Sequence, residues 1–315
     1  MIVAQSRNWW RMVVTRRGST VGNIWRRLAV TTGLAVVVTV FWESFDLQRF
    51  SLTLTPFSLI GLALSIFLGF QNNAAYDRFW EARKLWGSLV NGSRSWARQV
   101  HAYVEAPPGG SPDEVAEVDA LRVRLIQRQI AFVHALRLQL REGGNPADLD
   151  PYLDPGERDA LSGESNRPSA ITFRTGLALS GARRRGWLHP VHAVEMERSL
   201  ALFTDIQGAC ERIKSTPVPF VYAVLTHRIV ALYCLGLPFG IQPTVGVFTP
   251  LVVAMIAFAF YSLDSIGAEL EEPFGLDPSD LPLAQISRMI EINLLQRAGA
   301  AELPSPLMPV RGVIL

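Results

Sequence analysis

Two cysteines in 315 residues cannot staple a fold, and Cys234 stands inside an apolar run; both Cys210 and Cys234 are expected to be small buried hydrophobes without redox chemistry. No stretch alternates polar and apolar residues for long enough to form a half-buried strand, so sheet architectures drop out and helices remain. HExxH, a Ser-His-Asp arrangement, a phosphate loop and a GxGxxG junction are all missing, and the five histidines are scattered, which leaves a membrane-embedded enzyme as a weak alternative. Charge is sparse and balanced: 18% of residues are charged and the net value is +2, without the clustered basic excess of a nucleic-acid binder. Arg183, Arg184 and Arg185 make a solvated corner, as short arginine runs usually do.

What is plentiful is apolar surface, at 49% of residues, and it is gathered into runs. A cleavable leader needs a short basic start and a small-residue cleavage site. Here Arg7, Arg11, Arg16, Arg17, Arg26 and Arg27 are spread instead over an amphipathic lead-in with Trp9, Trp10 and Trp25. Residues 1–23 read as an interfacial segment on the cytoplasmic side. A first span begins near Ile24 and ends at Trp42, with Arg26 and Arg27 snorkelling to the headgroups. Glu43, Asp46 and Arg49 form an external loop. A second span, Phe57 to Phe70, runs without a break signal into QNNAAYDRFWEAR and on to about Tyr103, where Pro107, Pro108 and Gly109 stop it.

Beyond that point the pattern turns soluble. Val115, Val118, Leu121, Leu125, Phe132 and Leu136 mark an amphipathic helix from Pro112 to Arg141, opened by Asp113 and Glu114 and closed by Gly143 and Gly144. Asn145 to Arg185 reads as short helices and loops, and a longer helix follows from about His192 to Lys214. Two more apolar runs, Phe220 to Ile241 and Val245 to Leu263, are joined by a Gln-Pro turn. His227 and Arg228 lie in the first of them, where a basic pair must face protein or an interface. An amphipathic helix from Leu283 to Leu295 carries Ile286, Ile290 and Leu294, and a loose tail ends the chain. The expected organisation is an all-α membrane protein. Residues 24–71 and 216–263 hold four spans, 72–215 a cytosolic helical domain, 264–299 C-terminal cytosolic helices and 300–315 the tail.

Three strings narrow the function. FLGFQNNAAYDRFWEARKLWG after the second span, GACERIKSTPVPFVY before the third and LDSIGAELEEPFGLDPSDLPL after the fourth resemble the bacterial branch of the bestrophin family. They occur in the family's order and spacing and cover most of the chain. The resemblance implies a homopentameric ion channel in the inner membrane, with both termini cytoplasmic and the second span lining one axial pore. Its partners would be its own copies, lipid and small monovalent ions, with no cofactor and no metal.

By the same resemblance Leu62, Ile66 and Phe70 match a three-ring hydrophobic neck, and Gln71, Asn72 and Asn73 form an uncharged mouth below it. Residues four apart share a helix face, but a helix apolar on every side does not single out this stripe. Val191, at the family's spacing before GACER, matches a cytosolic aperture flanked by His189 and His192. A Zn²⁺ reading of His189, His192 and Glu195 is opposed by Pro190, which is expected to break regular helix there. Eukaryotic members bind Ca²⁺ at an acidic cluster after PFG, whereas LDPSDLP offers only Asp277 and Asp280, too few carboxylates for a comparable clasp. Glu269, Glu271 and Glu272 are expected to pair with Arg78, Arg83 or N-terminal arginines. Because His189 and His192 can only add positive charge, the reading leans to chloride and other anions, with a sodium-type cation channel or a regulatory scaffold as alternatives.

Overall fold

The structure is a computed structural model that describes residues 20–45, 53–141, 145–310 and 312–313. Arg7, Arg11, Arg16, Arg17, Trp9, Trp10, Asp46, Arg49, Gly143 and Gly144, on which the lead-in, loop and stop readings rest, lie outside the described residues. Among the described residues the chain is helical, and its only β-type pairings are isolated bridges between Val104 and Leu188 and between Val310 and Val313.

The helices, in chain order, are α1 (Val21–Phe45), α2 (Leu54–Tyr103), α3 (Pro112–Arg141), a 3-10 turn (Pro146–Tyr152), α4 (Pro155–Ser162), α5 (Arg167–Arg184), α6 (Pro190–Ser215), α7 (Phe220–Val245), α8 (Thr249–Glu271) and α9 (Leu283–Arg297). They divide into two compact units, Ile2–Trp80 with Pro217–Pro273, and Glu81–Thr216 with Phe274–Leu315. Helix α2 contributes its first half to one and its second half to the other. At 1.5 Å of rise per residue it is about 75 Å long.

Among the described residues of the first unit, three segments are long and apolar enough to cross a membrane: Val21–Phe45, the apolar part of Leu54–Tyr103, and Val221–Glu271. The last is a hairpin, because Gly246 takes φ 60° at the 3-10 turn Gly246–Phe248 between α7 and α8. The expected Gln242-Pro243 turn is not where the chain reverses. Helix α7 runs through both residues to Val245, and only glycine adopts such a positive φ without a Cβ clash. The inner faces of these helices meet in two layers. Ile24, Leu64, Leu68, Val230, Cys234, Ala257 and Tyr261 form one, and Ala35, Leu237, Ile241 and Val253 the other. Polar groups inside are paired across helices: Thr31 Oγ1 lies 2.9 Å from Tyr261 Oη, and Thr39 Oγ1 donates to Gln242 Oε1 at 3.0 Å.

The second unit is built around α3, whose stretch from Ile130 to Leu136 is buried at every position and apolar but for His134. A helix with that pattern is a central one, and α5, α6 and α9 pack around it. Phe203 of α6 sits between Trp96 and Phe132, with ring centroids 6.2 and 5.8 Å away. Gly92 lets it approach, since a Cβ there would lie 3.0 Å from the Phe203 ring. Trp96 meets its own polar need by donating Nε1–H to Leu125 O at 3.1 Å. Two sequence expectations change here. The segment after Asn145 includes an 18-residue helix, α5, rather than short pieces only. Pro190 does not interrupt α6 but opens it, at the position where its missing N–H costs nothing.

One close contact in the membrane unit makes a direct test. A Cβ on Gly240 would fall 2.2 Å from the Phe57 ring, whereas on Gly236, one turn earlier, the nearest Phe57 atom is 3.5 Å away. Gly240→Ala should destabilise by about 1–3 kcal/mol through overpacking. Gly236→Ala should be tolerated, as thermal unfolding in detergent will report.

Candidate functional site

Burial along the apolar half of α2 is one-sided. Leu64, Leu68, Gln71 and Ala75 are buried in the membrane unit, and at 3.6 residues per turn Leu62, Ile66 and Phe70 lie about 180° around the helix from them. Those three side chains are 63, 52 and 67% exposed in a single copy of the chain. The structure therefore supplies what apolar periodicity could not, a direction for the stripe. Exposure alone does not distinguish it, because Leu59, Ile60 and Phe67 are also open, as lipid-facing residues would be.

The three amides below the stripe separate. Asn73 is exposed and continues the face of Phe70. Gln71 does not join a mouth with it: its side chain is buried toward the subunit's own interior. Asn72 turns to Gly267 of α8, whose missing Cβ leaves room for the Asn72 amide oxygen. Gln71 Oε1 and Asn72 Oδ1 accept no hydrogen bond among the described residues. The physical reason for the split is helical pitch, which sends three consecutive side chains to three different faces.

In the other unit, Val191 is 64% exposed in the first turn of α6. His189 caps that helix, its Nδ1 accepting the Val191 N–H at 3.3 Å. His192 stacks on Tyr103 with centroids 4.2 Å apart and lies 5.7 Å from the His189 ring. His189, Val191 and His192 thus lie together at the start of α6, and Tyr103 of α2, which no sequence signal places there, joins them. No group of three metal-ligating side chains is assembled among the described residues.

Sequence reasoning also missed Asp264. It is 1% exposed within α8, and both carboxylate oxygens face His227 Nδ1, at 2.6 and 2.7 Å. Since a carboxylate there can only accept, Nδ1 is the donor. Arg27 Nη1 reaches the same carboxylate at 3.2 Å. Of the basic pair on α7, His227 turns to this carboxylate and Arg228 is exposed. The available signal was an acidic residue inside an apolar run, which membrane helices hold only with a partner.

The acidic residues after Asp264 also make contacts with backbone and amide groups. Arg78 donates Nε–H to the backbone carbonyl of Glu271 at 2.7 Å, and the Glu271 carboxylate accepts the Val218 N–H at 2.9 Å. Glu269 accepts from Asn23 Nδ2 at 3.0 Å. A helix end and a chain re-entry leave bare backbone groups, and these side chains satisfy them. Beyond α8, Asp280 accepts the Asp277 N–H at 2.7 Å and is 3% exposed. Burial pushes its carboxyl up from 3.8 to about 6.

With this geometry in view, comparison with known proteins is decisive. The model of the family described as "Bacterial/Fungal Bestrophin protein" matches residues 1–296. The chain belongs to that bestrophin family. A voltage-dependent anion channel-forming protein of Ralstonia nicotianae is 38% identical over 294 residues, which is 92% of each chain. The protein of the same description called YneE in Escherichia coli K12 is 36% identical over 311 residues, 99% of this chain and 98% of its own. A crystal structure of a bacterial bestrophin homolog from Klebsiella pneumoniae superposes with a TM-score of 0.81 at 33% identity, covering 89% of this chain and all of that one. As a bestrophin, the chain is a membrane channel protein, and the enzyme alternative falls away.

Asp280 yields a pH test in this bestrophin. A carboxyl held above its ordinary value binds its proton more tightly in the folded state, so its ionisation removes stability as pH rises from 3.8 through about 6. Asp280→Asn keeps an acceptor for the Asp277 N–H and abolishes that ionisation. The variant should melt higher than wild type near neutral pH, and the gap should close as pH falls below about 4.

Proposed function

We propose that five copies of the chain assemble around one axis as a passive channel for small anions in the inner membrane, four spans to a subunit and both termini in the cytoplasm. The spans are α1, the apolar half of α2, α7 and α8, an even number of crossings. Arg78, Arg83, Lys84, Arg94 and Arg98 after the second span assign the inside. The reading rests on one observation: Leu62, Ile66 and Phe70 are exposed on the face of α2 opposite its packed side. Repeated five times, that stripe would make a dry neck about 12 Å long, counting eight steps of 1.5 Å. Such a constriction blocks ions by dewetting and conducts when it widens.

Val191, with His189 and His192, would form the second constriction on the cytosolic side. Preference for anions is supported there by the N-terminus of α6, the end at which the helix dipole carries partial positive charge. It agrees with the names of the relatives, which are described as anion channel-forming. A cation reading has one specific observation in its favour: Asp77 is exposed and follows Phe70 by seven residues, on the same face. A ring of five carboxylates below the neck would attract cations.

Chloride efflux from reconstituted liposomes tests the proposal. The triple variant Leu62→Ala, Ile66→Ala, Phe70→Ala should leak several-fold faster than wild type while keeping its assembly size. Equal flux would remove the neck assignment. Flux no greater than that of empty vesicles, for both proteins, would remove the channel. Potassium in place of chloride as the ion that follows the gradient would select the cation reading.

A further inference from the structure

The chain enters α6 along a pinned path. Val104 and Leu188 are buried and joined as an isolated bridge, and Trp187 O accepts the Glu105 N–H at 2.9 Å. His189 then takes an extended conformation, with φ −65° and ψ 139°, and Pro190, the first residue of the helix, contributes no N–H. Val191 therefore carries the first backbone donor of α6. His189 Nδ1 accepts it, at 3.3 Å. The next bond of the turn, from Ala193 N–H to His189 O at 2.9 Å, is ordinary helix backbone.

That cap exists in one protonation state only. A ring nitrogen accepts a hydrogen bond only while it carries no proton, so acceptance from Val191 means a neutral imidazole with its proton on Nε2. A second proton, which imidazoles take up near neutrality, would turn Nδ1 into a donor facing a donor. It would also set a positive charge at the positive end of the helix dipole. The common capping side chains Ser, Thr and Asn keep their acceptor throughout this range. His189 is exposed, so water can deliver the proton.

The charged groups around it have other partners. On α6, Glu195 is engaged by Arg198 Nη1 at 2.6 Å. On α3, Glu114 accepts the Trp187 Nε1–H at 2.8 Å, Glu117 pairs with Arg185 at 2.5 Å, and Asp119 pairs with Arg122, whose Nε–H goes to Val104 O at 2.6 Å. Glu105 is exposed beyond the end of α2, and no carboxylate pairs with His189 among the described residues. His192 can only add repulsion, with its ring 5.7 Å away. Its own stacking on Tyr103 survives protonation, because a tyrosine face attracts a cation. Of the two histidines, only His189 loses a contact when it gains a proton.

We propose that His189 is a proton-operated latch on the cytosolic constriction: neutral, it holds the Val191 turn, and protonated, it releases that turn so that the Val191 ring loosens. The second half rests on the reading of Val191 as an aperture, so two readouts are paired. Hydrogen exchange of the full-length protein in detergent reports the cap by itself, between about pH 8 and pH 5. Corrected for the intrinsic rate, exchange of segment 190–193 should rise several-fold in wild type as pH falls. It should stay level in His189→Asn, which keeps an acceptor but does not titrate, and His192→Gln should follow wild type. In liposomes, the permeability of gluconate relative to chloride should rise several-fold over the same range in wild type and not in His189→Asn. Level exchange in wild type, or an equal rise in His189→Asn, would overturn the latch. A rise in exchange with no change in the permeability ratio would overturn it differently, by removing Val191 from the ion path while leaving the cap.

Discussion

A carboxylate in an apolar helix is tolerable only if it is met on arrival, and Asp264 is met twice. His227 from α7 and Arg27 from α1 converge on it, so three membrane helices share one electrostatic joint. Hydrophobic packing between helices in lipid has no preferred register, because lipid tails are as apolar as leucine. A buried ion pair does have one. Thr31 with Tyr261 and Thr39 with Gln242 repeat the principle deeper in the same unit. Together they fix which faces of α1, α7 and α8 point inward, and thereby which face of α2 has Leu64 and Leu68 as its packing side. Leu62, Ile66 and Phe70 are left over by that choice.

The same economy of partners recurs in the other unit. Glu291 gathers His134, Tyr152 and Arg288, and its neighbours bring α3, the 3-10 turn and α9 together. In both units a single buried acid organises several elements. The difference lies in what surrounds it. Asp264 is enclosed by apolar helices, whereas the Glu291 cluster borders a cavity of about 620 Å³.

Much of this architecture was legible in the residues. Pro112 to Arg141 is the helix its apolar spacing describes, and α2 continues to Tyr103, where the sequence stops it. Pro190 and Gln242-Pro243 misled, since a proline read as a breaker is compatible with a helix's first turn and with its last. The chain reverses at Gly246 instead, and a lone glycine among apolar residues carries little warning. Leu62, Ile66 and Phe70 were named through a family likeness, and their direction emerged only from burial. Gln71 was misassigned to the same surface as Asn73 because adjacency in sequence is not adjacency on a helix. Asp264 was visible but unweighted, and its partners, 37 and 237 residues away, are joined to it only by folding.

The central claim is that one particular face of α2 borders the ion path, and thiol modification tests it most directly. Cys210 and Cys234 are buried, so single exposed cysteines report alone. Ile66→Cys lies on the stripe, while Phe67→Cys is comparably exposed but about 100° around the helix. In planar bilayers, a negatively charged methanethiosulfonate reagent should reduce current through Ile66→Cys channels and leave Phe67→Cys and wild-type channels unchanged. Block of Phe67→Cys with Ile66→Cys unaffected would show that another face borders the path, and the account would be wrong.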